Sequence, residues 1–188
     1  MPAACHSVLQ HFEHALVVGG TGMLADATGF IRSRSKRLTL VARRAEAAAP
    51  ALGVLPDEAC AADWRDYMSF SSTVSPRIVA MPPDLALLWI HDSGHRSLLW
   101  LLMQLARAPI LIVHVLGSSS GDPRGVDADI NAILAKAPSM DYLTVVLGSK
   151  ALPGGGRRWL KNNEICAGAI EAVQTRRDIV VGEIIPLR

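Results

Sequence analysis

The stretch Ala-Leu-Val-Val-Gly-Gly-Thr-Gly-Met-Leu, residues 15–24, joins a short apolar run to a glycine-rich turn. A short apolar run closed by glycines is typical of a buried parallel strand. Gly19, Gly22 and Ala25 have G-x-x-G-x-x-A spacing. Because the turn lies between a predicted strand and a predicted helix, it predicts a dinucleotide-binding βα unit.

The turn can bind phosphate through its backbone. Gly19 can turn the chain sharply because it has no Cβ. Gly22 lets a pyrophosphate approach the backbone, and the N–H groups that follow point at the phosphates from the positive end of the helix dipole. A tight βα turn without a ligand is the alternative interpretation. The expected contacts are Gly19, Gly20, Thr21, Gly22, Met23 and Leu24.

Strand-like and helix-like segments alternate on both sides of this turn. Strands are predicted at 14–18, 37–42, 53–63, 84–90, 109–116, 142–147 and 179–185. Helices are predicted at 23–35, 45–52, within 64–82, and at 97–107, 126–136 and 163–174. The alternation predicts one α/β domain over residues 1–188, a doubly wound parallel sheet in three α/β/α layers, which is a Rossmann fold. Residues 1–13 are expected to be a loose leader and residues 153–159 a glycine-rich loop.

Composition argues for a soluble domain that does not bind nucleic acid. Of the 188 residues 50% are hydrophobic and 19% charged, and the net charge of +2 is spread without the basic face that nucleic-acid binding needs. Residues 1–14 lack a secretory signal. The apolar stretch from Ser97 to Leu116 is divided by Pro109, so it predicts a helix and a strand rather than a membrane span. A cytoplasmic location without membrane partners is expected.

Two arginines follow the second predicted strand. NAD-binding folds usually place an acidic residue here to bind the ribose hydroxyls, whereas Arg43 and Arg44 stand here and no carboxylate comes before Glu46. A guanidinium suits a 2′-phosphate. The pair therefore favours NADP(H) over NAD(H), and a solvated pair at a strand end is the alternative.

Histidines follow the fourth predicted strand. Ile90 and His91 stand at the carboxyl edge, where the cofactor is expected, and an imidazole there can act as an acid or a base. His91 and His95 have no evident third ligand for a metal, so no metal site is predicted. A polar loop with a helix cap is the alternative. His114, inside a strand, is expected to be a core histidine with satisfied hydrogen bonds.

Residues 15–24 resemble the cofactor turn of the short-chain dehydrogenase/reductase family. Asp63 and Trp64 are similar to the family's acidic position against the adenine, and Ser118 stands where the family has its catalytic serine. Residues 158–165 resemble a stretch ahead of the family's late helix. The resemblance implies an oxidoreductase that acts on a small carbonyl or alcohol substrate, with Ser118 and His91 as the catalytic candidates.

The family's catalytic Tyr-x-x-x-Lys pair is absent from this sequence. The fourth residue after Tyr67 is Ser71, and the fourth after Tyr142 is Val146. In the family the lysine and the cofactor ribose lower the pKa of the tyrosine, which then exchanges a proton with the substrate. A non-catalytic NADP(H)-binding sensor or regulatory module is therefore the alternative function, and a flavin or nucleoside-phosphate binder is a third. A homo-oligomer remains open.

Overall fold

The computed structural model describes residues 11–117 and 127–184. Within these two ranges, seven parallel strands form the main sheet, in the order β3-β2-β1-β4-β5-β6-β9, and β7 and β8 form a separate antiparallel hairpin. The strands of the main sheet are β1 (Phe12–Val18), β2 (Ser35–Ala42), β3 (Ala59–Ala61), β4 (Leu85–Leu88), β5 (Ile110–Gly117), β6 (Met140–Leu147) and β9 (Ile179–Val181). The hairpin strands are β7 (Ser149–Ala151) and β8 (Arg157–Trp159).

In the described part of the chain, six α-helices cover the two faces of the sheet. They are α1 (Ala25–Arg32), α2 (Ala45–Ala48), α3 (Tyr67–Ala80), α4 (His95–Leu105), α5 (Ala128–Leu134) and α6 (Asn162–Thr175). Alternate strand residues divide the apolar core into two parts, one packed against α1, α2 and α6 and the other against α3, α4 and α5. On β1, for example, Val17 packs in the first part, and Leu16 and Val18 in the second. The predicted doubly wound, three-layer fold is confirmed.

The strand order reverses at β1, which pairs with β2 on one side and β4 on the other. In such a sheet, ligands bind in the crevice that opens where the order reverses, at the carboxyl ends of the strands. The turn after β1 is held to both neighbours, since Gly19 N–H donates to Val41 O at 2.9 Å and Trp89 N–H donates to Val18 O at 2.9 Å. The sheet thus places residues 19–24 in the crevice.

Several predicted boundaries were wrong. β1 begins at Phe12, inside the predicted leader, because Phe12 is buried and its N–H donates to Arg34 O at 2.8 Å. The third strand is limited to Ala59–Ala61 because a 3-10 turn occupies Pro56–Glu58. The predicted loop at 153–159 contains β8.

Across the described ranges, no helix combines the length and the hydropathy that a membrane span requires.

Candidate dinucleotide site

A groove of about 490 Å³ opens at the carboxyl ends of β1, β2 and β3, within the usual range for small-molecule sites. We call it the dinucleotide groove. It is lined by Gly19, Thr21, Gly22, Met23, Ala42, Arg43, Arg44, Ala47, Ala48, Trp64 and Trp89.

Gly19 and Gly22 shape the floor of the groove in different ways. Gly19 has φ of +81°, and a Cβ there would lie 2.8 Å from the carbonyl oxygen of Trp89. A Cβ on Gly22 would meet no atom within 4 Å, so the space beside it is open to a ligand. Gly19 is therefore required by the turn itself, whereas a side chain at position 22 would project into the open space of the groove.

Gly20 and Leu24 are buried and do not line the groove. A Cβ on Gly20 would clash with the side chains of Val17 and Thr28, and the hydroxyl of buried Thr28 donates to Gly20 O at 2.9 Å. These two predicted contact residues therefore hold the turn against the sheet. Sequence reasoning missed Thr28, which lies eight residues beyond Gly20 in α1.

The backbone N–H groups of residues 20–24 donate to no acceptor among the described residues. They lie at the amino end of α1, whose first bonds run from Ala25 N–H to Gly22 O and from Thr28 N–H to Leu24 O. Unpaired N–H groups at a helix amino terminus attract anions through both hydrogen bonding and the helix dipole. This arrangement can hold a pyrophosphate.

Arg43 and Arg44 lie at the rim of the groove, after β2. Both are exposed, and within the described ranges neither forms an ion pair. Glu46, the first carboxylate after them, is also exposed, on α2. The rim therefore carries two positive charges that no neighbouring carboxylate pairs with directly.

Three aromatic rings, Trp64, Trp89 and His91, form what we call the aromatic wall beside the groove. The ring centroid of His91 lies 4.3 Å from that of Trp89, in an edge-on arrangement, and 6.4 Å from that of Trp64. Trp64 and Trp89 line the groove, and His91 is exposed at its edge. Sequence reasoning missed Trp89, because its apolar surroundings in the chain made it look like core.

Asp63 is paired within its own loop. Its carboxylate accepts hydrogen bonds from the backbone N–H and the guanidinium of Arg65, with the shortest at 2.6 Å. The bonds from the Arg65 side chain hold the pKa of Asp63 below its usual value. Asp63 and Trp64 follow β3, as predicted, but the cavity lining includes only Trp64.

His114 is buried on β5, as expected of a core histidine. Its Nδ1 lies 2.6 Å from the hydroxyl of Tyr142, and its Nε2 lies 3.3 Å from the carbonyl oxygen of Ile90. A carbonyl only accepts, so Nε2–H donates to Ile90 and the Tyr142 hydroxyl donates to Nδ1. Burial lowers the pKa of His114 to about 4 and raises that of Tyr142. Ile90, a predicted cofactor contact, is itself buried and supports the wall through this bond.

His95, at the start of α4, lies beside two carboxylates that the sequence did not suggest. Its Nε2 is 3.8 Å from Asp127 and 3.8 Å from Asp129. The potential ligand atoms of the three residues lie within 4.8 Å of one another, and both carboxylates are exposed. Such clusters are common without an ion, so the absence of a metal site stays a prediction.

Three further hydroxyl residues bear on catalysis: Ser118, Tyr67 and Tyr142. Ser118 lies outside the described residues. Tyr142 belongs to β6, and Tyr67 is the first residue of α3, with the Arg96 guanidinium 4.1 Å from its ring centre. Neither tyrosine has a lysine four residues later.

Ion pairs connect the hairpin of β7 and β8 to the rest of the protein. Glu164 accepts from Arg158 at 2.8 Å and lies 2.7 Å from Lys150, and these contacts hold the pKa of Glu164 far below its usual value. Arg157 pairs with Glu183 at 2.9 Å. The basic residues of this segment are thus used within the protein.

Comparison with known proteins places this geometry in context. No family model and no curated protein matches the sequence. Among solved structures, the NADH-dependent reductase A1-R′ complexed with NAD has a TM-score of 0.61 at 14% identity, over 94% of this chain and 97% of that chain. The chain has the fold of the short-chain dehydrogenases/reductases. The predicted resemblance to this family is therefore confirmed for the fold.

Two other solved structures are similar over most of the chain. A short-chain dehydrogenase/reductase from Serratia marcescens has a TM-score of 0.62 at 18% identity, over 94% of this chain and 98% of that chain. Glucose dehydrogenase of Caenorhabditis elegans has a TM-score of 0.58 at 15% identity, over 90% of this chain and 95% of that chain.

Proposed function

We propose that this protein is an NADP(H)-dependent oxidoreductase that acts on a small carbonyl or alcohol substrate. The carrying observation is the set of unpaired backbone N–H groups at residues 21–23, which line the groove, with Arg43 and Arg44 at the rim of the same groove. Pyrophosphate and 2′-phosphate are the anions that such donors and guanidinium groups match. The similar solved structures support a nicotinamide cofactor, since one of them is complexed with NAD.

The residues of the groove fit the parts of NADP(H) in order. The turn would hold the pyrophosphate beside Gly22, where a Cβ would meet nothing within 4 Å. Arg43 or Arg44 would pair with the 2′-phosphate, and Trp64 would lie against the base. When bound, the nicotinamide ring supplies or accepts a hydride.

For proton transfer we propose the imidazole of His91, assisted by the Ser118 hydroxyl. His91 is exposed beside Trp89, at the carboxyl edge of the sheet, and His114 holds the preceding carbonyl. An imidazole near neutrality can give a proton to a carbonyl oxygen during reduction and take it back during oxidation. In this proposal, His91 takes the part of the family's catalytic tyrosine, because the sequence has no Tyr-x-x-x-Lys pair.

The cofactor proposal is tested by calorimetric titration with NADPH, NADH and FMN at low salt. We expect NADPH to bind about tenfold to a hundredfold more tightly than NADH, because of the charged hydrogen bonds to the 2′-phosphate. FMN, which has no pyrophosphate, should bind more weakly than either. Preferential binding of FMN would contradict the proposal and favour a flavin site.

Turnover is tested by following NADPH oxidation against a panel of aldehydes, ketones and quinones. An active substrate should lose at least about tenfold in turnover with His91→Ala, since general acid–base catalysis contributes that much or more. Tight NADPH binding without turnover on any of these classes would contradict the catalytic part and favour the regulatory alternative.

A further inference from the structure

We propose that the base of the dinucleotide is recognised by stacking on Trp64 and not by a hydrogen bond to Asp63. The protein then accepts a purine with or without a 6-amino group. This inference rests on the proposed function, because it concerns the base end of the dinucleotide groove.

The carboxylate of Asp63 is turned to Arg65 and does not line the dinucleotide groove. Oδ1 accepts from the backbone N–H of Arg65 at 3.0 Å and from its Nε–H at 3.0 Å. Oδ2 accepts from Nε–H at 3.0 Å and from an Nη group at 2.6 Å. Arg65 thus directs three N–H groups at the two carboxylate oxygens, with the Nε–H shared between them, so the carboxylate is engaged within its own loop. The backbone bond is set by the loop itself.

The same loop fixes Trp64 as a platform. The Ser97 hydroxyl donates to the Trp64 carbonyl at 2.6 Å, and the indole packs so closely on Gly94 that any Cβ there would clash with it. The indole N–H is buried and has no partner among the described residues. Because that N–H is hidden, a base in the groove meets carbon atoms of the ring, and its own hydrogen-bonding groups are not read by Trp64.

Stacking and hydrogen bonding give opposite expectations for base selectivity. Stacking on an aromatic side chain tolerates any base, because every base has a π-face. A site that hydrogen-bonds an amino group instead rejects the analogue lacking it, since a buried polar group is left unpaired. The decisive comparison is therefore NADPH against reduced nicotinamide hypoxanthine dinucleotide phosphate, which has a 6-oxo group in place of the amine.

The experiment measures the affinities of both dinucleotides by calorimetry in the unmutated protein. We expect them to agree within about threefold, because no acceptor contacts the amine. Arg65→Ala should then create a preference for NADPH of about fivefold to tenfold, because the carboxylate regains free lone pairs. That gain of selectivity is not expected if Arg65 merely stabilises the loop.

Variants at Trp64 test the platform directly. Trp64→Ala should weaken both dinucleotides by about tenfold or more, and Trp64→Phe should restore most of the affinity. Trp159→Ala is the control, since Trp159 is exposed on β8 and does not line the groove. Thermal melting checks that each variant is folded. If Trp64→Ala does not fold, the dinucleotide comparison in the unmutated protein and the Trp64→Phe variant still test whether the base stacks on Trp64.

The outcomes separate this inference from the proposed function. A preference for NADPH of tenfold or more in the unmutated protein would overturn the inference and leave the NADP(H) site intact. A folded Trp64→Ala protein with unchanged affinity would do the same. A protein that binds neither dinucleotide would overturn both.

Discussion

The two halves of the sheet treat their polar groups differently. Around β1, β2 and β3, the N–H groups of residues 20–24 have no acceptor in the described chain, and Arg43 and Arg44 have no ion-pair partner there. Around β5, β6 and β9, the polar groups find partners inside the protein: His114 with Tyr142, and Arg157 with Glu183.

This contrast shows which half of the sheet is equipped to bind an anionic ligand. Donors and cations left unpaired at a groove cost little while water solvates them, and they become useful when an anion arrives. The second half instead holds a hydrogen-bond chain that runs from Tyr142 through His114 to the carbonyl of Ile90 and is satisfied within the protein. The features that would bind a cofactor are concentrated in the first half, and His91, the proposed proton donor, lies beside them against Trp89.

The largest expected effect is at Gly22. Gly22→Val should weaken NADPH binding by at least about a hundredfold, because the side chain would fill the space of the pyrophosphate. The fold should persist, since a Cβ there meets nothing within 4 Å. Gly29→Val is the matched control: its Cβ is equally free, but it lies on α1 outside the groove. Calorimetry and circular dichroism measure the two properties, and unchanged affinity in a folded Gly22→Val protein would remove the turn from the site.

The next effect concerns the two arginines. Arg43→Ala or Arg44→Ala should erase most of the preference for NADPH over NADH, a change of about tenfold to a hundredfold, while NADH affinity barely changes. The preference should also shrink at high salt. Arg177→Ala removes the same charge from an exposed residue between α6 and β9 and should leave the preference unchanged. Loss of preference in that control would mean that net charge, not the rim, selects the cofactor.

The third prediction uses pH to test the half of the sheet around β5, β6 and β9, where His114 is paired within the protein. Burial lowers the pKa of His114 from 6.5 to about 4, so the unfolded chain binds more protons than the folded one between these values. The contribution of His114 to stability is therefore complete above pH 6.5 and is lost as the pH falls towards 4. Between pH 7 and pH 5, the loss is about 2 kcal/mol.

Urea unfolding at pH 7 and pH 5 measures this loss. His114→Phe should be less stable at neutral pH, because Tyr142 and Ile90 lose a partner, but it should lose correspondingly less stability on acidification. Equal pH dependence in the two proteins would show that His114 is charged or exposed in the folded state.

The smallest effect is expected at Tyr142. Tyr142→Phe should lower stability by about 1 kcal/mol, because one hydrogen bond to His114 is lost. NADPH affinity and turnover should stay within a few fold, since the hydroxyl is committed to His114. A loss of turnover above about tenfold would assign Tyr142 to catalysis and reverse the contrast between the two halves.

Local patterns predicted the sheet and the turn. Apolar runs marked β1, β4, β5 and β6, and glycines close all of these runs except that of β4, because buried parallel strands need apolar residues on both faces. The hairpin was not predicted, since β8 reads Arg-Arg-Trp and is held by ion pairs to Glu164 and Glu183 rather than by an apolar pattern.

The site was predictable only where it is continuous in sequence. Residues 19–23 and Arg43–Arg44 line one groove, as expected from a Rossmann turn, except that Gly20 is buried in packing. Trp89, Thr28 and the Asp127–Asp129 pair beside His95 were missed, because each acts on residues that only the folded chain brings near. Asp63 was identified, but its pairing with Arg65 depends on loop geometry that spacing does not reveal.

One contact in the turn spans almost the whole chain. The thiol of Cys166, buried in α6, donates to the carbonyl oxygen of Met23 at 3.0 Å, across 143 positions of sequence. During synthesis, the turn therefore leaves the ribosome long before the helix that braces it has been made. The amino-terminal half emerges with the glycine-rich turn but without this brace, and the turn gains its full set of contacts only after α6 has been translated and docked.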